Sequence, residues 1–115
     1  MVNNSIKLAL IEFIKHIEKE LYFQAHEILE EVWHIAKKTN HPQTLLIKGL
    51  INASISFAHI KRARVHAIKA SQITIKSYYR YRDMNMPSID NYEFFNSACG
   101  VIETHEYMDI VSTKI

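Results

Sequence analysis

The stretch Gln43-Thr44-Leu45-Leu46-Ile47-Lys48-Gly49-Leu50-Ile51-Asn52-Ala53-Ser54-Ile55-Ser56-Phe57-Ala58-His59-Ile60-Lys61 decides the fold class. Wound at ~100° per residue, it is apolar on almost every side. A helix with so little wet surface belongs in the middle of a bundle or at a subunit contact. Gly49, Ala53 and Ser56 keep one side small, so a neighbouring helix can approach closely. Thr39-Asn40-His41-Pro42 precedes it, and proline is tolerated at the first helical position, where its missing N–H has no partner to lose.

Upstream, Tyr22 to Lys38 carries Ala25, Ile28, Leu29, Val32 and Ala36 on one face, with Lys37 and Lys38 at the end that favours cations. Before it, Ile6, Leu10, Phe13, Ile14, Ile17 and Leu21 recur at helical spacing behind Ser5, a residue type that caps helices. No strong breaker separates these two segments, so one long kinked helix is an alternative. Downstream, a fourth helix from about Ala63 to Arg82 is expected to turn Val65, Ile68, Ile75 and Tyr79 to the core. Met84-Asn85-Met86-Pro87 then breaks the pattern. The tail holds Phe94, Phe95, Val101, Ile102, Tyr107 and Ile110, with Gly100 as an interruption. The expectation is an all-α fold: a single small helical bundle of four main helices plus one or two short C-terminal helices, spanning residues 1–115 as one domain.

The composition agrees. The chain has 115 residues, enough for one core but not two, and only two glycines and two prolines to punctuate loops. Its single cysteine, Cys99, cannot close an internal disulfide, which suits a reducing compartment. The first residues lack the basic and apolar regions of a secretory signal. The longest apolar run, near Gly49 to Ala58, falls short of the ~20 residues that span a bilayer. A cytoplasmic protein that does not enter the membrane is expected.

Two motifs carry a resemblance. Phe23-Gln24-Ala25-His26-Glu27-Ile28-Leu29-Glu30-Glu31-Val32-Trp33 is followed by Lys48-Gly49-Leu50-Ile51-Asn52-Ala53-Ser54 and Phe57-Ala58-His59. Together they resemble the domain of unknown function 309 family, whose signature is Phe-x-x-Ala-His-Glu-x-x-Glu-x-x-Trp and a Gly-Leu-Ile-Gln helix ending near a histidine. The likeness covers about residues 13–79, leaving residues 84–115 as an extension. Asn52 stands where that family usually has glutamine, and Lys61-Arg62-Ala63-Arg64 replaces a glycine-containing turn. The resemblance implies a helical bundle and no reaction.

On the second helix His26, Glu30 and Trp33 share the edge of the apolar stripe, whereas Glu27, Glu31 and His34 lie on the wet side. On the third, Asn52 and His59 are seven residues apart and share a face beside Ser56. The expected site is therefore His26, Glu30, Asn52 and His59 meeting between the two helices, with Trp33 as a wall. A carboxylate among imidazoles raises histidine pKa values and can support proton transfer, metal binding or ligand anchoring. The competing interpretation is a hydrogen-bonded network that fixes helix register.

Other patterns fail on spacing. His26-Glu27 opens like a zinc-peptidase helix, but position 30 is glutamate and His34 is eight residues on. Glu31-x-x-His34 has no second such pair for a di-iron site. Between Lys61 and Arg82 the chain is basic without one acid, and Arg62, His66, Lys69, Lys76 and Arg80 form a stripe near Tyr78, Tyr79 and Tyr81. Such a stripe suits a polyanion, but a solvated face paired with Glu93 or Glu106 explains it without nucleic acid. With no complete constellation, no catalytic residue and no cofactor are assigned. The expected role is a non-catalytic module that binds a protein partner or itself as a homodimer. The alternative is a small-molecule, metal-binding or hydrolase-like protein centred on His26, Glu30 and His59.

Overall fold

In the computed structural model, residues 2–61 and 65–113 are described, with side chains described for residues 2–61 and 72–106. Five helices run in order: α1 Val2–Glu18, α2 Tyr22–Lys38, α3 Thr44–Lys61, α4 Val65–Arg82 and α5 Tyr92–Thr113. There is no strand among the described residues, and the fold is the expected all-α bundle. Helix α3 is its axis: α2, α4 and α5 all pack on it, while α1 packs on α2 and α5. Leu46, Ile47, Leu50, Ile51, Ala53 and Phe57 are all buried. Most of the apolar girth of α3 is thus covered by the chain's own helices, while Leu45 is left exposed. Gly49 faces α4, where the Tyr78 Cα and the Tyr81 Cβ lie 3.4 Å from the place a Cβ would occupy. The small side expected on α3 is where α4 comes close.

Backbone geometry explains two turns that contain no glycine. Glu20 adopts a left-handed φ of 59°, and Asn40 one of 52°. Behind Glu20, the Leu21 N–H donates to the His16 carbonyl and the Glu20 N–H to the Ile17 carbonyl, both at 2.9 Å. Behind Asn40, the His41 N–H reaches the Ala36 carbonyl at 2.9 Å and the Asn40 N–H the Lys37 carbonyl at 3.3 Å. This paired pattern satisfies the last carbonyls of a helix and stops it. So α1 and α2 are separate helices, not one kinked one.

Three details differ from the sequence expectation. Ser5 lies inside α1 rather than capping it, because the first turn is held from outside. The Asn3 amide donates to Asp90 at 2.9 Å, its carbonyl oxygen meets His41 Nε2 at 2.6 Å, and the Asn91 amide donates to the Asn3 backbone at 2.8 Å. On α4 it is Tyr78 that is buried, while Tyr79 is 39% exposed. Positions three and four after Ile75 both fit the inward stripe, and α5 supplies partners at Tyr78. Val65 and Ile68 have side chains outside the described residues. Finally, the tail forms one helix of 22 residues, the longest in the bundle. Gly100 sits inside it on an exposed side, where an added Cβ would meet nothing within 4 Å, and the helix runs through it. Phe95, Ala98 and Ile102 of α5 are fully buried, which makes the C-terminal extension part of the common core.

Candidate functional site

The expected cluster divides between two neighbours of α3. His26 and Glu30 are one turn apart on α2, and His26 Nε2 lies 2.8 Å from Glu30 Oε2. The other ring nitrogen, Nδ1, is 2.9 Å from the Phe23 carbonyl. A carbonyl oxygen can only accept, so Nδ1 carries a proton; Nε2 is directed at a carboxylate, which also accepts. Both ring nitrogens are therefore taken up on α2 itself. The imidazole also packs on the Phe23 ring, centroids 5.2 Å apart.

His59 does come to this place. With His26 it borders a hollow of about 220 Å³ whose other walls are Tyr22, Phe23, Ile55 and Ala58. The lining is mainly apolar. Phe23 itself is 52% exposed and also borders the adjoining hollow of about 280 Å³, next to Leu21 and Lys61. Tyr22 anchors the floor: its ring tilts onto Phe57 at 5.3 Å, and its hydroxyl lies 3.0 Å from Nδ1 of His105 on α5.

Asn52 and Trp33 do not join this hollow. The Asn52 amide donates to the Ser77 hydroxyl of α4 at 2.8 Å. The Trp33 ring is flanked by the ammonium groups of Lys37, 5.0 Å away, and Lys48, 4.7 Å away. Its buried indole N–H has no acceptor among the described residues. The four-residue meeting of His26, Glu30, Asn52 and His59 is thus not formed, because the stripe on α3 runs along the groove between α2 and α4 and its members face different walls. His34, read as lying apart on the wet side, reaches within 3.8 Å of Glu30 while staying exposed, so Glu30 stands between two imidazoles. Among the described residues no group of three or more histidine, cysteine or acidic side chains is placed to hold a metal ion.

A second polar cluster, which the sequence reading missed, ties α4 to α5. The buried Tyr78 hydroxyl donates towards Glu103 Oε2 at 2.9 Å and the Cys99 carbonyl at 3.3 Å, sharing one proton between them. The Arg82 guanidinium binds the other Glu103 oxygen at 2.9 Å, and Tyr79 donates to Glu106. Burial, then the neighbouring thiol and carboxylate, push the Tyr78 phenol far above its ordinary value. Burial also raises Cys99, whose thiol is enclosed. The Glu103 carboxylate raises Arg82 further. Glu103, not Glu93, is thus the partner of a basic residue on α4, and Glu106 takes a tyrosine. Lys76 and Arg80 face solvent, with Arg80 6.0 Å from the Tyr81 ring centroid. The remaining stripe side chains, Arg62, His66 and Lys69, lie outside the described residues.

No helix among the described residues is long and apolar enough to cross a membrane. The sequence profile described as a domain of unknown function (DUF309) matches residues 10–70, just over half of the chain. No curated protein and no solved structure matches it.

Proposed function

The chain belongs to the domain of unknown function (DUF309) family, and on that helical scaffold we propose a non-catalytic binding module that presents Phe23 and the adjacent hollow to a protein partner. The observation that carries this reading is the state of His26. With Nδ1 on the Phe23 carbonyl and Nε2 on Glu30, both ring nitrogens already have partners on α2 itself. Its contacts hold the first turn of α2 and, through ring packing, the exposed Phe23. The pair His26–Glu30 is then a brace, and Phe23 with Leu21, Ala58 and His59 is the surface it supports. Exposed aromatics beside apolar hollows are the usual anchors of protein contacts.

A photo-reactive phenylalanine analogue at position 23 tests the reading in cells. One discrete cross-linked protein is expected, lost when Ala58→Arg fills the neighbouring wall while the melting temperature holds. Absence of any discrete adduct, or one insensitive to Ala58→Arg, speaks against it.

The second reading is a small-molecule or metal site, and one observation favours it: His59 lines the same hollow as His26. Stoichiometric zinc in the purified protein, removed by either His59→Ala or His26→Ala, would favour that alternative. Trp33 and Asn52 serve neither reading directly: Trp33 meets Lys48 of α3, and Asn52 bonds Ser77 of α4.

A further inference from the structure

The outer side of the bundle, away from Phe23, carries a groove between α1 and α2 of about 360 Å³. Its floor is apolar: Ala9, Ile28 and Val32, with Leu8 56% and Ile35 44% exposed at the edge. Glu12 of α1 and Glu31 of α2 border it, one from each helix. Lys15 lies 3.5 Å from Glu12, an exposed pair that solvent screens; no cation is paired with Glu31 among the described residues. Contiguous apolar patches rimmed by polar residues are a mark of interaction surfaces.

The same chain contains a segment of matching character. On α4, Ile73 is 63% exposed, the largest exposure of any bulky apolar side chain described. Lys76 and Arg80 follow at three and seven residues, hence on the same side of the helix, and both face solvent. The whole run from Lys61 to Arg82 has no acidic residue. Within one molecule α4 packs on α3, and no extensive contact joins it to α1 or α2. The groove and the basic ridge therefore cannot satisfy each other in cis.

We propose that the α1–α2 groove takes the α4 ridge of a second copy of this chain, Ile73 entering between Leu8 and Ile35 with Lys76 and Arg80 on the Glu31 and Glu12 rims. The contact uses different faces on the two copies, so it is head-to-tail. A first pair leaves one groove and one ridge free, and association continues into a ring or a filament. This self-assembly is independent of the Phe23 surface, so either can fail alone.

Sedimentation velocity of the full chain over a concentration series is the test. At low salt the average mass rises past that of a dimer. Raising the salt to about 1 M shortens the screening length to roughly 3 Å and weakens the association on the order of tenfold. Leu8→Asp and Ile73→Asp, both at exposed positions, each give monomers with unchanged helicity. Mixed together they form a one-to-one dimer that does not grow, because one variant retains the ridge and the other the groove. As a second pair, Glu31→Lys and Lys76→Glu are each weakened and pair with one another. A wild-type protein that stays monomeric at low salt overturns the proposal. So does a mixture of the two aspartate variants that stays monomeric, since that result belongs to a contact with the same face on both copies. An Ala58→Arg variant that assembles normally keeps this outcome separate from that of the Phe23 surface.

Discussion

Replacing Gly49 offers a sharp test of how closely α3 and α4 meet. Glycine inside a helix costs about 0.8–1.0 kcal/mol relative to alanine. A Cβ at this position would meet the Tyr78 Cα and the Tyr81 Cβ at 3.4 Å and the Ser77 carbonyl at 3.6 Å, ordinary van der Waals contact. Gly49→Ala should therefore keep nearly all of the propensity gain. With an unfolding entropy of roughly 2.1 cal/mol/K per residue over 115 residues, 1 kcal/mol corresponds to about 4 °C in Tm. Gly49→Val reverses the sign. Its two methyl groups extend past the Cβ into the α4 backbone, which cannot swing aside as a side chain can. Overpacking of this kind costs about 1–3 kcal/mol, so Tm falls by roughly 4–12 °C. Both variants are read by thermal unfolding followed by circular dichroism, with urea midpoints as a check on the slope. An alanine variant less stable than wild type by 1 kcal/mol or more, or a valine variant as stable as alanine, would refute the packing argument.

Three further outcomes are expected. Tyr78→Phe removes one hydrogen bond to a carboxylate that Arg82 also holds, so a loss of about 1–2 kcal/mol is expected, and most of it should vanish in a Glu103→Gln background. Stability should fall as pH rises past 10: the folded chain keeps the Tyr78 proton that the unfolded chain releases near its ordinary value of 10.0, so the native state binds more protons above that point. Denaturant midpoints at pH 8 and above 10 check this, and Tyr78→Phe should flatten the slope. Glu20→Gly should raise stability by roughly 1 kcal/mol, because residue 20 holds a φ of 59° that costs every L side chain; a lower Tm would show that the Glu20 side chain matters more than its backbone.

The parts of the fold legible in the sequence were those written in helical periodicity. The limits of α2 were read correctly, and α3 begins at Thr44, one residue after Gln43. The turn at Glu20 was hidden because a glutamate fills a position that glycine usually marks. The long α5 was hidden by Gly100, a helix breaker by composition that happens to sit where nothing packs. At the site, His26 and Glu30 were legible as a one-turn pair. The departure of Asn52 was not, since seven residues along α3 fix a common direction but not which neighbouring helix stands in it. Tyr78, Arg82 and Glu103 escaped notice because their contacts join residues 21 to 25 apart, beyond any local pattern.

The docking of α5 against both α1 and α3 has a consequence for how the protein is made. At roughly 5–20 residues per second, a ribosome needs roughly 5–19 s to pass from the end of α1 to the end of α5. Once α3 is made and until α5 follows, the nascent chain holds Phe13 and Phe57 in a half-built bundle, lacking Phe95 and Ile102 to close it. The stretch shared with the family, residues 10–70, begins after the first turns of α1 and stops within α4, before α5. Cut out alone, that stretch is a fragment with a bare seam rather than a miniature of the protein.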